Sequence, residues 1–224
     1  MNAPHVREPY ASFEARRRYA GRAVETVRAL ALPELITAAF LASEPFAAQL
    51  PAQPEADDAG GLAQWHASAM ALALWEAAFA FAEDEVPVGA VLLHRNGRLL
   101  GRGRNLREQT RDPTDHAEIV AMRLASHALQ HWRLEECTLV VTLEPCPMCA
   151  GAAVNARLGS LVYGTDDPKA GACGSVVELC ANPRLNHRFP VHAGTAESAC
   201  AEMLREYFRR KRSTKSPSSE SKSD

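Results

Sequence analysis

No apolar run in the 224-residue sequence approaches the ~20 residues that cross a bilayer, so a membrane-spanning helix is not expected. The first residues, MNAPHVREPY, lack the basic start and apolar middle of a secretory signal, and the expected compartment is the cytoplasm. An excess of one charge is also missing. The 25 Lys and Arg residues face 27 Asp and Glu, net −2, which excludes a general basic coat for nucleic acid but leaves room for a local basic face. No internal repeat is present. Six cysteines in a chain of this length, with no secretory signal expected, are not expected to make a disulfide scaffold. Two of them stand as Cys146-Pro-Met-Cys149, a spacing that points to metal or redox chemistry. What the chain does have is an ordinary hydrophobic share, 46%, enough for a real core. At roughly 100–200 residues per domain, the length implies one catalytic-sized domain with some surplus.

Composition divides the chain. Residues 1–50 are rich in Ala, Arg and Leu, with Arg16, Arg17, Arg18, Arg22 and Arg28 in a helix-compatible stretch that Ser12 could cap. Pro33-Glu34 reads as the first turn of a second helix, so this part is expected to be a helical N-terminal extension. Residues 51–61, PAQPEADDAGG, carry too many breakers and too little apolar surface for an element and read as a linker. Residues 213–224 are Ser- and Lys-rich without aromatics and are expected to be disordered.

The working unit is 62–212. Leu62 to Ala82 is Ala-rich with Trp65, Leu72, Trp75 and Phe79 near helical spacing, which predicts a helix whose aromatics pack in the core. Val86 to His94 reads as a strand, Asn96-Gly97 as a tight turn, and Arg98 to Gly103 as the returning strand. Pro113 and Thr114 are expected to open a helix running to about Leu129. The run CTLVVTL, Cys137 to Leu143, is continuous and β-branched, typical of a strand buried on both faces. A helix over Pro145 to Arg157, short strands at Leu161 to Gly164 and beyond, and a last helix over Glu197 to Arg212 complete the pattern. A hairpin followed by alternating strands and helices predicts an α/β fold, a mixed sheet with helices on both faces.

Three segments carry the chemistry: Asn105, His116-Ala117-Glu118, and Cys146 with Cys149. One imidazole and two thiolates are three ligands of the right softness for zinc, and a three-ligand set leaves the open position that a catalytic site needs. Cys146 and Cys149 fall at an expected helix start, where free N–H groups and the positive end of the dipole favour thiolates. Plainer readings exist for each part. A Cys-x-x-Cys pair can be a redox couple or half of a structural zinc knuckle, with Cys137 or Cys173 as a conceivable fourth ligand. Glu118 can be the N3 member of a capping box with Asp115. His116 and Glu118 stand i and i+2, which do not share a helix face. They can meet at one site only at the N-terminal end of the helix.

Taken together, H-x-E followed by P-C-x-x-C is the pattern of zinc nucleobase deaminases, in which the Glu is an acid/base and not a ligand. The chain resembles the tRNA-specific adenosine deaminases, the TadA-type branch of the cytidine-deaminase fold, over about residues 65–212. The matching pieces are VPVGAV at 86–91, GRN at 103–105, DPTDHAEI at 112–119, TLEPCPMCAGA at 142–152, Asn155 and Arg157, YGTDDPKAGACGS at 163–175 and NHR at 186–188. Asp115 stands where relatives usually have a small residue, and Asp166 where a basic or neutral one is usual. The resemblance implies a three-layer α/β/α fold with a five-stranded mixed sheet and a zinc deaminase domain over 62–212. It also implies one Zn2+ on His116, Cys146 and Cys149, Glu118 as the catalytic acid/base, and a homodimer. The implied reaction is conversion of the wobble adenosine of a tRNA anticodon to inosine. Asn105 and the backbone of Ala117 would then hold the base, and Asp167 and Lys169 would meet the anticodon stem-loop. Between Arg184 and Arg212, seven Arg and Lys against three Glu form a local basic surplus that is a further candidate for phosphates. Deamination of a free base or nucleoside, of the guanine or cytosine type, is the alternative activity. A non-catalytic RNA-binding subunit with structural zinc is the alternative class.

Overall fold

In the computed structural model, side-chain alternation along the strands sorts the core into two halves. The structure describes residues 49–214. The expected helical extension over 1–50 lies almost wholly outside the described residues, as does 215–224. Helix α1 spans Ala59–Ala82, followed by strands β1 Gly89–His94 and β2 Leu99–Arg104. A one-turn helix α2, Arg107–Thr110, leads to α3, Ala117–Leu129. Strand β3 Cys137–Leu143, helix α4 Pro147–Asn155, strands β4 Ser160–Thr165 and β5 Val191–His192, and helix α5 Glu197–Thr214 complete the order. The five strands form one mixed sheet in the order β2-β1-β3-β4-β5. β1 is antiparallel to β2 and β3, while β3–β4 and β4–β5 are parallel.

Period-two alternation sends Val91, Leu93, Val140 and Val162 to one face of the sheet, where they meet α1 and α5 through Phe79, Met203 and Tyr207. The intervening Ala90, Leu92, Leu139, Val141 and Leu161 point to the other face, against α3 and α4. The result is the expected three-layer α/β/α arrangement. Trp65, Leu72, Trp75 and Phe79 all lie in the first core half, as their spacing suggests. No helix among the described residues is long and apolar enough to cross a membrane.

Several boundaries differ from the sequence reading. Helix α1 starts three residues early, because Asp58 caps it by accepting from the Gly61 N–H at 2.9 Å. The stretch before it, read as linker, is tied to the hairpin. Gln53 N–H donates to Arg95 O at 2.8 Å, and Trp65 Nε1 donates to Pro51 O at 3.0 Å. The Asn96-Gly97 turn forms as expected, with Gly97 at φ 85° in the left-handed region that glycine favours. The helix expected from Pro113 begins only at Ala117. Asp112 Oδ1 accepts from both the N–H and the hydroxyl of Thr114, at 2.8 and 2.7 Å, which closes a local turn in place of a helical one. The helix expected over Pro145 to Arg157 is shorter, Pro147–Asn155, and α5 runs on through Ser213 and Thr214, into the stretch expected to be disordered.

One glycine sets the distance between sheet and site. A Cβ on Gly103 would run into the carbonyl oxygen of Ala117 and the amide nitrogen of Ala121. Strand β2 therefore lies flush against the first turn of α3, which brings Asn105, just beyond the strand, beside His116 and Glu118.

Candidate active site

His116 and Cys146 occupy equivalent places, each the N-cap of its helix with extended backbone, φ −77° and −72° respectively. Their carbonyls accept the first helical bonds, from Val120 N–H at 3.0 Å and Ala150 N–H at 2.9 Å. Pro147 follows at N1, where its missing N–H costs nothing. The two helix starts face each other across the amino end of β1 and the carboxyl ends of β2 and β3. This is the placement that the i, i+2 spacing of His116 and Glu118 demands. The capping box read for Asp115 and Glu118 does not form. His116 is the N-cap, and Asp115 instead accepts from Arg123 Nη1 at 2.7 Å.

His116 Nδ1 lies 3.7 Å from Cys146 Sγ and 3.6 Å from Cys149 Sγ, and the three donor atoms all lie within 4.8 Å of one another. Around a tetrahedral zinc with ligand bonds of ~2.05 Å to nitrogen and ~2.3 Å to sulfur, the N···S separation is about 3.6 Å. The donor set therefore fits zinc in both chemistry and spacing. Cys137 and Cys173, the conceivable fourth ligands, do not belong to this group. The thiols are already unequal. Cys149 donates to Cys146, which with the nearby His116 holds Cys146 down to about 4 against the opposing effect of burial. The same shared hydrogen bond, reinforced by burial, raises Cys149 far above its ordinary value. The bond to Cys146 also raises His116. Metal binding must displace the proton held between the sulfurs.

Beside this cluster opens a cavity of about 240 Å³, lined by Asn105, His116, Glu118 and Asp167 among others, with Val86, Val88 and Leu143 as apolar walls. Glu118 is buried, and that burial pushes its carboxyl up to about 7. It stands outside the metal-ligating group yet faces the same space. Asn105 is buried, and its Nδ2 donates to Glu85 Oε2 at 3.0 Å. Ala117 is buried at N1 of α3, a position whose N–H has no intrahelical acceptor. Asp167 lines the cavity, while its Oδ1 accepts from the N–H groups of Lys169 and Ala170 at 2.9 and 3.3 Å. Lys169 is exposed at the rim. Four of the seven basic residues counted near the C-terminus are ion-paired on α5. Arg205 pairs with Glu202, Arg209 and Arg210 with Glu206, and Lys211 with Asp84.

Three further residues shape the cavity without having stood out in the sequence. Glu85, wholly buried, orients the Asn105 amide and also accepts from Gln109 N–H at 2.9 Å, and burial raises its carboxyl. It follows Glu83 and Asp84, and nothing in the local sequence sets it apart from them. Glu144 is buried directly before the Pro145-Cys146 turn. Its Oε2 accepts from Asp167 N–H at 3.0 Å, and its Oε1 accepts from Cys173 and Ser175 N–H at 2.9 and 3.1 Å. Burial works to raise this carboxyl, but the hydrogen bonds from Ser175, Asp167 and Cys173 win and hold it below its ordinary value. The available signal was a lone carboxylate ending the apolar run CTLVVTL. Arg107, exposed on α2, adds a cation to the cavity lining.

A family model described as MafB19-like deaminase matches residues 64–212. The chain belongs to this deaminase family. Over 143 residues the deaminase is 48% identical to a tRNA-specific adenosine deaminase of Agrobacterium fabrum, covering 64% of this chain and 93% of that one. It is also 48% identical over 152 residues to a tRNA(Ile)-lysidine synthase of Deinococcus radiodurans, where the match takes 67% of this chain but only 26% of the much longer relative. Among solved structures, the deaminase superposes with TM-score 0.59 on one from a study of A-to-I editing by tRNA:A34 deaminases at the wobble position of transfer RNA. That match has 47% identity and covers 61% of this chain and 98% of the other. Residues 64–212, matched by the family model, run from within α1 to within α5 and contain every residue of the site.

Proposed function

We propose that this deaminase hydrolyses the 6-amino group of the wobble adenosine in tRNA anticodons, in the cytoplasm, giving inosine and ammonia. The observation that carries the reading is the buried Glu118 facing a base-sized cavity beside the His116, Cys146 and Cys149 donor set. His116, Cys146 and Cys149 would hold one zinc ion. When bound there, zinc supplies Lewis-acid activation, lowering the pKa of a coordinated water toward neutrality. Glu118 accepts the water proton and delivers it to N1 of adenine as oxygen adds to C6. It then takes the proton of the new C6 hydroxyl and passes it to the exocyclic nitrogen, and the C6–N bond breaks to release ammonia as the C6 carbonyl forms. Asn105, held by Glu85, and the Ala117 N–H orient the base. The apolar walls of Val86, Val88 and Leu143 exclude bulk water. A cavity this small admits one base and not a duplex, so the nucleotide enters flipped out, which is cheapest from a single-stranded loop.

Asp167 and Lys169 at the rim would meet the ribose-phosphate backbone. An anticodon stem-loop is therefore expected to be deaminated far better than free adenosine, with activity falling as salt rises. Lys169→Ala should weaken stem-loop binding and leave zinc content unchanged. A DNA version of the loop, lacking the 2′-OH, should be a poor substrate. Steady-state kinetics on the three substrates check this. Comparable kcat/KM on free adenosine and on the stem-loop would replace the tRNA reading with that of a small-nucleoside deaminase.

The same reading includes a homodimer. It is supported by an open groove of about 850 Å³ between α3 and α4, lined by Ile119, Met122, Trp132 and Ala152 among others, with Trp132 54% exposed. A second copy seated in this groove would cover the half-exposed Trp132 ring. Light scattering at micromolar concentration should give twice the chain mass, and a monomer mass would contradict the assignment.

A further inference from the structure

Cys173 and Cys180 play no part in the site chemistry. We propose that they form a reversible redox site, in which a peroxide joins them in an intrachain disulfide that locks the loop at the rim of the cavity. Their sulfurs lie 2.9 Å apart, and both residues are buried. A disulfide bond of about 2.05 Å requires the sulfurs to close by under ~1 Å. The backbone already brings the two residues together. Leu179 N–H donates to Ala172 O at 3.0 Å, Gly174 N–H donates to Val177 O at 3.1 Å, and Cys173 pairs with Glu178 in an antiparallel bridge. Cys200, by contrast, faces the Met70 thioether.

The turn between the two cysteines is fastened to the cavity. The N–H groups of Cys173 and Ser175 share Glu144 Oε1, whose partner oxygen holds Asp167 N–H, and Ala172 N–H donates to Pro145 O at 2.8 Å. A covalent link across this turn therefore stiffens the loop that carries Asp167 and Lys169. Residues 174–178 are all exposed, Val176 and Val177 among them, while Cys173 and Cys180 belong to the core half beneath α3 and α4, so an oxidant reaches their sulfurs only when the turn opens locally.

The chemistry balances with one peroxide. Cys173, 6% exposed against 0% for Cys180, meets the oxidant first. Its sulfur attacks the peroxide, the O–O bond breaks, and Cys173 becomes a sulfenic acid with release of one water. The Cys180 sulfur then attacks the Cys173 sulfur. An S–S bond forms, the S–O bond breaks, and hydroxide leaves with the Cys180 proton as a second water. Two electrons pass from the two thiols to the peroxide, and a dithiol reductant returns them. The hydrogen bond to Cys180 and burial raise the Cys173 thiol far above its ordinary value, so the closed pair resists attack and reaction proceeds through the opened turn.

Trypsin supplies a direct readout, because cleavage after Lys169 and Arg184 releases a single peptide, 170–184, containing Cys173 and Cys180 and no other cysteine. The full-length, zinc-loaded protein is treated with hydrogen peroxide, denatured, alkylated and digested. The expected peptide carries no alkyl label and is two hydrogens lighter than the reduced form. Prior treatment with dithiothreitol restores both labels. Oxidation should raise the melting temperature by about 5 °C, the scale for closing a short loop. It should also slow hydrogen exchange at the amides of 167–180. In Cys180→Ala the same treatment should leave no disulfide and no melting shift. Because the label count on the unmodified sequence stands alone, the test holds even if that variant folds poorly. Two labels after peroxide treatment, sulfinic acid on Cys173 without a crosslink, or a disulfide that leaves melting and exchange unchanged would each overturn the proposal.

Discussion

Replacing Glu118 by Gln is expected to lower kcat by ~10²–10⁴-fold or more while zinc content and melting temperature stay near those of the parent. Glu118 is buried against the cavity but does not belong to the metal-ligating group, so the amide preserves shape and packing and leaves the three ligands in place. What the amide cannot do is accept a proton from water and return it to the leaving nitrogen. The lost interaction belongs to the transition state, so kcat and kcat/KM should fall together with little change in KM. Single-turnover assays on an anticodon stem-loop, alongside metal analysis and a melting curve, separate this from a structural role. A variant that turned over normally and only melted earlier would remove Glu118 from the chemistry and leave it a packing role alone.

Cys149→Ser is expected to take zinc from about one equivalent per chain to near zero after dialysis against a mild chelator, with loss of detectable turnover. Cys149 is wholly buried on the first turn of α4, with its sulfur 3.6 Å from His116 Nδ1. A serine hydroxyl keeps the volume but not the thiolate that zinc binds. Binding that favours the folded state adds to stability, so the variant should also melt below the zinc-loaded parent and no longer respond to added zinc. Full retention of zinc by Cys149→Ser would remove the ligand assignment.

What could be read in the sequence was whatever a local pattern encodes. CTLVVTL became β3 with both faces buried, Asn96-Gly97 became the hairpin turn, and the Ala-rich stretch with aromatics near helical spacing became α1. The chemistry-bearing residues of the motif, His116, Glu118, Cys146 and Cys149, come together at two helix starts because N-cap positions project toward whatever lies beyond the helix end. Partnerships between distant segments left no such mark. Glu85 reaches Asn105 across 20 positions, and Glu144 reaches Ser175 across 31. Each looks like an ordinary polar residue until the fold buries it. Helix starts depart from the sequence pattern where a side chain competes with the backbone. Asp112 captured Thr114 and delayed α3, while Asp115 turned to Arg123 and left the cap to His116. The Cys173–Cys180 contact depends on a short hairpin inside a loop, which no periodicity announces.

Wobble deamination is tested most directly by incubating unmodified tRNA with the purified, zinc-loaded protein and sequencing the product, scoring adenosine-to-inosine change at every position. Inosine is expected at the wobble position of the anticodon and nowhere else, and it should be absent when Glu118→Gln replaces the parent. Unchanged wobble adenosine in folded tRNA, under conditions in which the same preparation deaminates a free base or nucleoside, would contradict it.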